Sequence, residues 1–180
     1  MAIHLMAIAA ASAVSALVGT AAPDFTLTDQ AGHAFSMSGQ RGHVTVLYFG
    51  YTHCPDICPT TLAEVASVVR QLGPNADRDV RVAFITDDPE RDTSKTLRDY
   101  VTLFDPWFLG LDGTGQELAP VYKAYHVWFT KLPNQGSAAG YLLAHSSFIY
   151  MVGKDGVVHY VHDWRDDRSA IARDLRKLYQ

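Results

Sequence analysis

Cysteine is scarce in this chain. Its 180 residues hold two, Cys54 and Cys58, four positions apart. No disulfide framework can staple distant parts of a fold from such a pair, so the two thiols read as chemistry. Charge of one sign is never concentrated: 15 basic and 19 acidic side chains are dispersed for a formal net charge of -4. Nothing can therefore follow a nucleic-acid backbone, and no nucleic acid is expected as a partner. No long heptad or continuous apolar stripe demands a second copy, so a monomer is expected.

Charged Asp, Glu, Lys and Arg are absent altogether from residues 1–22, MAIHLMAIAAASAVSALVGTAA. That length is within the roughly 17 to 25 residues that can span a bilayer. Ala, Ser and Gly dominate it, however, and the basic flank of a signal peptide is missing. Two readings stay open for 1–22: the remnant of an export or membrane-anchor segment, or an Ala-rich helix with no part in export. The whole chain is 48% apolar and 19% charged, enough to bury one core, and residues 23–180 are read as a single α/β domain.

Residues 25–28 and 34–36 bracket the turn Asp29-Gln30-Ala31-Gly32 and predict a hairpin. Residues 44–49 form a continuous run of β-branched, aromatic and Leu residues, the pattern of a strand buried on both faces. Leu62, Val65, Val69 and Leu72 then recur at helical spacing. Thr61 and Glu64 fit a capping box, which predicts a helix opening near Pro59 and closing at Gly73-Pro74. A second buried strand is expected at 80–85, a helix at 94–103, a third strand at 108–111, and a helix capped by Thr114 and Glu117 running to about Tyr125. Segment 131–140, KLPNQGSAAG, reads as an irregular insertion. Residues 147–152 and 157–161 flank a second hairpin turn, and Ile171, Leu175 and Leu178 mark a final helix.

Cys54 follows the carboxyl end of the first buried strand, where open α/β sheets place their ligands, and Cys58 stands at the entrance of the next helix. A helix amino terminus favours thiolate, the metal-binding and nucleophilic form. Pro55 and Pro59 stiffen the loop. Among the eight histidines, His145 is singled out. It immediately precedes the strand near Ser147, and if that strand runs antiparallel to 44–49, its start lies beside the cysteines. His53 is a weaker candidate, since neighbours in an extended loop point apart, and His126, His159 and His162 rank lower. Two thiolates and one imidazole suit copper, above all Cu(I), whereas structural zinc usually demands four protein ligands. A redox pair is the serious rival, although three residues separate these cysteines where the usual redox motif has two.

Three separated motifs carry a resemblance: GYTHCPDICPTTL at 50–62, DDPERDT at 87–93 and LAHSSFIYMVGKDG at 143–156, with FLGLDGTGQELAPVYKAYHV between the last two. In this order they resemble the Sco/SenC family of copper chaperones for cytochrome c oxidase, over about residues 23–180. The resemblance implies a thioredoxin-like fold with an added N-terminal β-hairpin, and copper ligands at Cys54, Cys58 and His145. It also implies a periplasmic or equivalent extracytoplasmic domain, tethered to a membrane, that assembles the binuclear copper centre of oxidase subunit II. Residues 1–22 depart from the family by lacking a basic flank. Thiol–disulfide exchange by Cys54 and Cys58 on the same acceptor is the alternative. Thioredoxin-like redox proteins usually carry a proline beside the dithiol, where this chain reads Ala144-His145-Ser146. A thiol peroxidase fits poorly, because Tyr51 stands where such enzymes place a Thr. The polar residues Asp88, Glu90, Arg91 and Asp92 read as a docking surface or as a solvated loop in which Asp92 or Thr93 caps the next helix. Trp128 and Phe129 read as partner contacts or as a half-buried aromatic corner.

Overall fold

Val44–Gly50 (β3) is buried at every position because it lies in the middle of a sheet with a core on each side. Alternate residues point to opposite faces. Val44, Val46 and Tyr48 enter one core, and Leu47 and Phe49 enter the other. The computed structural model describes residues 13–133 and 140–180. Within them β1 (Thr26–Asp29) and β2 (Ala34–Ser36) form the N-terminal hairpin, and β4 (Val80–Thr86), β5 (Leu109–Asp112), β8 (Phe148–Val152) and β9 (Val158–Asp163) complete a seven-stranded sheet, ordered β2-β1-β5-β4-β3-β8-β9. β3, β4 and β5 are parallel, whereas β8 runs antiparallel to β3. Helices α1 (Ile57–Gln71), α3 (Ser94–Val101) and α5 (Arg168–Tyr179) cover one face, and α4 (Gly115–Ala124) covers the other, whose core also takes Leu27 and Phe35 from the N-terminal hairpin. A short α2 (Ala76–Asp79) leads into β4. This is the thioredoxin-like arrangement with an added hairpin.

Topology concentrates chemistry at one edge. Parallel β3 and β4 finish side by side with Gly50 opposite Thr86. Antiparallel β8 begins at the same edge, with Ile149 opposite Tyr48. The thiol loop, the segment after β4 and the residues just before β8 therefore meet there.

Three local expectations are corrected. Helix α1 opens at Ile57 with Asp56 at its N-cap, and the Asp56 side chain does not cap it. Thr61 is buried within the helix instead of forming a box with Glu64. Pro59 is accommodated two residues inside because first-turn N–H groups have no intrahelical acceptor, so the lost donor costs little. Cys58 consequently sits in the first turn. The segment expected to be irregular begins in strand and is followed directly by one: β6 (Phe129–Pro133) pairs antiparallel with β7 (Tyr141–His145), a two-stranded sheet of its own. Residues 134–139 lie outside the described residues. His145 therefore closes β7 rather than merely preceding β8. Of the two caps expected for helix α3, Thr93 is the one present, its side chain accepting from the Thr96 N–H, as expected. The Thr114–Glu117 capping box of α4 is present as expected.

Residues 1–12 also lie outside the described residues. Val14 is buried in the hairpin-side core, the Gly19 N–H donates to Val158 O at 2.8 Å, and Ala21 bridges Val157. Among the described residues no helix is long and apolar enough to cross a membrane.

Gly50 is required at the sheet edge. A Cβ there would stand 2.8 Å from Cys58 Sγ and 2.9 Å from the Phe84 ring. Gly50→Ala is expected to lose about 1–3 kcal/mol in denaturant unfolding through overpacking; an unchanged midpoint would show that the sulfur yields freely.

Candidate metal centre

Cys54 Sγ, Cys58 Sγ and one ring nitrogen of His145 all lie within 4.8 Å of one another, the one such group able to hold a metal ion among the described residues. Each reaches the site for a separate local reason. The thiol loop turns back on itself as α1 begins, so that the Cys58 N–H donates to Cys54 Sγ at 3.4 Å. Cys58 is fully buried under Gly50 and Phe84, while Cys54 is partly exposed. His145 presents Nε2 to Cys58 Sγ at 3.6 Å. Its other nitrogen, Nδ1, lies 2.9 Å from Ser146 O and 3.2 Å from Asp87 Oδ2. With Nδ1 engaged as a donor, Nε2 is the nitrogen left for a metal. The Tyr51 ring stands edge-on to the imidazole at 5.5 Å, and its hydroxyl accepts from the Leu143 N–H at 3.2 Å.

Electrostatics separates the two thiols. The Cys58 thiol hydrogen-bonds the Cys54 sulfur and, with contributions from His145 and the N–H groups of Asp56 and Cys58, outweighs burial to pull Cys54 down to about 4. Burial pushes Cys58 well up, and the neighbouring thiolate adds to it. Burial also opposes charge on His145, but Asp87 and the Cys54 sulfur overcome it and raise the ring to about 9. Asp87 itself is raised by full burial to about 6 against the pull of His145. Without metal, carboxylate, imidazolium and thiolate thus alternate in sign across the site. Two soft sulfurs and one oriented imidazole fit a soft cation such as Cu(I).

A cavity of about 290 Å³ opens onto Cys54 and His145, with Ile57, Trp128, Leu132 and Trp164 among its walls. It gives an incoming ligand access to the Cys54 side of the group.

The model of the SCO1/SenC family matches residues 15–180. The chain belongs to the SCO1/SenC family. Among SCO1/SenC relatives, a SCO2-like protein of Rickettsia prowazekii is 38% identical over 156 residues, covering 87% of this chain and 74% of its own. The mitochondrial SCO2 homologue of Bos taurus is 41% identical over 135 residues, 74% of this chain and 50% of that protein. The chain thus spans about half the length of the bovine relative. Of solved structures, Bradyrhizobium japonicum ScoI with copper bound superposes with a TM-score of 0.77 at 38% identity, covering 88% of this chain and 99% of that one. Yeast Sco1 with copper bound gives 0.71 at 30% identity, covering 87% and 88%.

In this SCO1/SenC chain the remaining sequence candidates fall outside the group. His53 is held at 3.1 Å from Thr52 Oγ1 and 3.7 Å from Asp92. His159 pairs with Asp155, His162 lies between Asp166 and Asp174, and His126 is exposed. Trp128 lines the cavity, while Phe129 packs edge-on against Tyr122 at 5.1 Å. Asp92 faces inward, accepting from Thr52 Oγ1 at 2.6 Å and Thr86 Oγ1 at 2.8 Å. Asp87 is the functional residue that sequence reasoning missed. The available signal was its place directly after a buried strand, at the edge that carries the thiols.

Iodoacetamide should alkylate Cys54 of the metal-free reduced protein first. Its rate should stay level from about pH 8 to about pH 5 and fall only as pH drops towards 4, whereas an ordinary thiol slows about tenfold per unit throughout that range. Asp87→Asn removes the charge that supports the imidazolium and should move the inflection upward. A parent inflection near 8 to 9, read by mass spectrometry, would contradict the charge pattern.

Proposed function

We propose that this chain binds one copper ion between Cys54, Cys58 and His145 and delivers it to the binuclear copper centre of cytochrome c oxidase subunit II. The observation that carries the reading is His145 Nε2 facing two sulfurs while Asp87 and Ser146 occupy Nδ1. The donor set is soft, and a three-donor site leaves room for an acceptor's ligand to enter from the cavity beside Cys54. Copper is the cargo. The protein's part is to keep Cys54 as thiolate, to hold Cys58 within reach under Gly50, and to aim the imidazole. The copper-bound ScoI and Sco1 relatives support the choice of metal. This role requires an extracytoplasmic location, periplasmic in a bacterium and membrane-tethered where an anchor is present, with a copper donor upstream.

The lowered Cys54 beside the raised Cys58 favours one alternative at the same acceptor. Cys54 thiolate would attack a disulfide of subunit II, releasing one acceptor thiolate. Cys58, deprotonated, would then attack the Cys54 sulfur and release the second, leaving a Cys54–Cys58 disulfide and an acceptor reduced by two electrons. An imidazole, rather than the proline of redox relatives of this fold, stands beside the dithiol, and that supports metal.

Anaerobic competition titration against a Cu(I) chelator is expected to give one tight site per chain. Cys54→Ser and Cys58→Ser should abolish it, and His145→Ala should weaken it at least about tenfold, or ~1.4 kcal/mol. Parental affinity in His145→Ala, together with fast disulfide reduction, would favour the oxidoreductase instead.

A further inference from the structure

Segment 87–93 supplies Asp87 to the metal centre, yet its next ion pair also turns inward. Asp88 is 2% exposed. One of its carboxylate oxygens accepts from Arg91 Nε–H and the other from the Tyr141 hydroxyl at 2.7 Å. Arg91 also donates from Nη1 to the Tyr141 carbonyl at 3.0 Å, and its guanidinium lies 3.6 Å from the centre of the Tyr141 ring. Tyr141 is the first residue of β7, and His145 is the last.

Strand geometry connects the two. Side chains alternate, so residues 141, 143 and 145 share one face of β7. That face meets the body of the domain at all three: Tyr141 at the Asp88–Arg91 pair, Leu143 through its buried side chain, and His145 at Asp87 and the sulfurs. The strand pairs only with β6 and is not hydrogen-bonded into the seven-stranded sheet. Its position therefore depends on its run into β8, which begins at Phe148, and on side-chain grips, among them the Tyr51 hydroxyl on the Leu143 N–H at 3.2 Å. The Asp88–Arg91 grip lies four residues from the imidazole, and it anchors on β4 through the Asp88 N–H bond to Thr86 Oγ1 at 2.9 Å. Cation–ring stacking and a largely desolvated ion pair make that grip specific to Arg.

We propose that Asp88 and Arg91 are positioning residues that clamp Tyr141 and, through β7, hold the His145 ring against the two sulfurs, so that opening the clamp withdraws the third ligand as metal leaves. The release step rests on the reading that Cys54, Cys58 and His145 hold copper; the clamp itself does not.

Two measurements test it. In the copper-free reduced protein, amide exchange at residues 142–145 should accelerate in Arg91→Ala and, less strongly, in Tyr141→Phe, which removes one hydrogen bond and keeps the ring. In the Cu(I)-loaded protein, transfer to an excess of chelator should be about threefold faster in Tyr141→Phe and about tenfold faster in Arg91→Ala. With His145→Ala in the background, the same substitutions should change release less than about twofold, because the clamp acts through that ring. Arg91→Lys, which keeps charge but not the planar fork, should rescue only in part. Unchanged release and exchange in both variants would overturn the proposal, as would equal acceleration with and without His145, which marks general loosening. Should the parent itself fail to bind copper, the functional reading falls, and exchange in the copper-free protein still decides the clamp.

Discussion

The approach of His145 Nε2 to Cys58 Sγ spans 87 residues of sequence, and a buried carboxylate maintains it. Asp87 is entirely enclosed, a position where an isolated negative charge is strongly disfavoured unless a partner faces it. The imidazole is that partner. Once charged, the ring requires a second anion on its far side, which the Cys54 sulfur supplies. Each group makes the next one tolerable, so the imidazole and the Cys54 sulfur stand together before any metal arrives. Breaking this series at Asp87 would strand a buried imidazolium beside a thiolate.

Sheet topology makes the series possible. Three segments distant in sequence end at one edge because β3 and β4 are parallel and β8 returns antiparallel between β3 and β9. Gly50 lets the sulfur of Cys58 sit directly on the sheet end. The SCO1/SenC relatives with copper bound share this architecture over almost the whole chain. The β6–β7 pair brings His145 to the site as a separate two-stranded sheet.

Much of this was legible in the sequence. The β-branched and aromatic run at 44–49 matched a doubly buried strand, the Thr114–Glu117 box matched its helix, and the two hairpin turns fell where Gly and Asp marked them. Cys54 and Cys58 were conspicuous for their loop, and His145 for the strand that follows it. What stayed hidden depended on tertiary partners. The start of α1 is set by the thiol loop rather than by Thr61 and Glu64, and no local rule reveals that. β6 and β7 each read weakly because neither carries a fully buried apolar run, and they became strands by pairing with each other. Asp87 and Asp88 resembled solvated loop residues, since burial of a carboxylate is invisible until His145, Tyr141 and Arg91 are seen around it.

The central claim is that one imidazole and two sulfurs take up the same copper ion. X-ray absorption at the copper edge of the Cu(I)-loaded protein addresses it directly. Two sulfur neighbours and one nitrogen neighbour bearing the outer-shell scattering of an imidazole are expected, with the nitrogen signal lost in His145→Ala. A parent spectrum with sulfur neighbours alone, identical to that of His145→Ala, would contradict it.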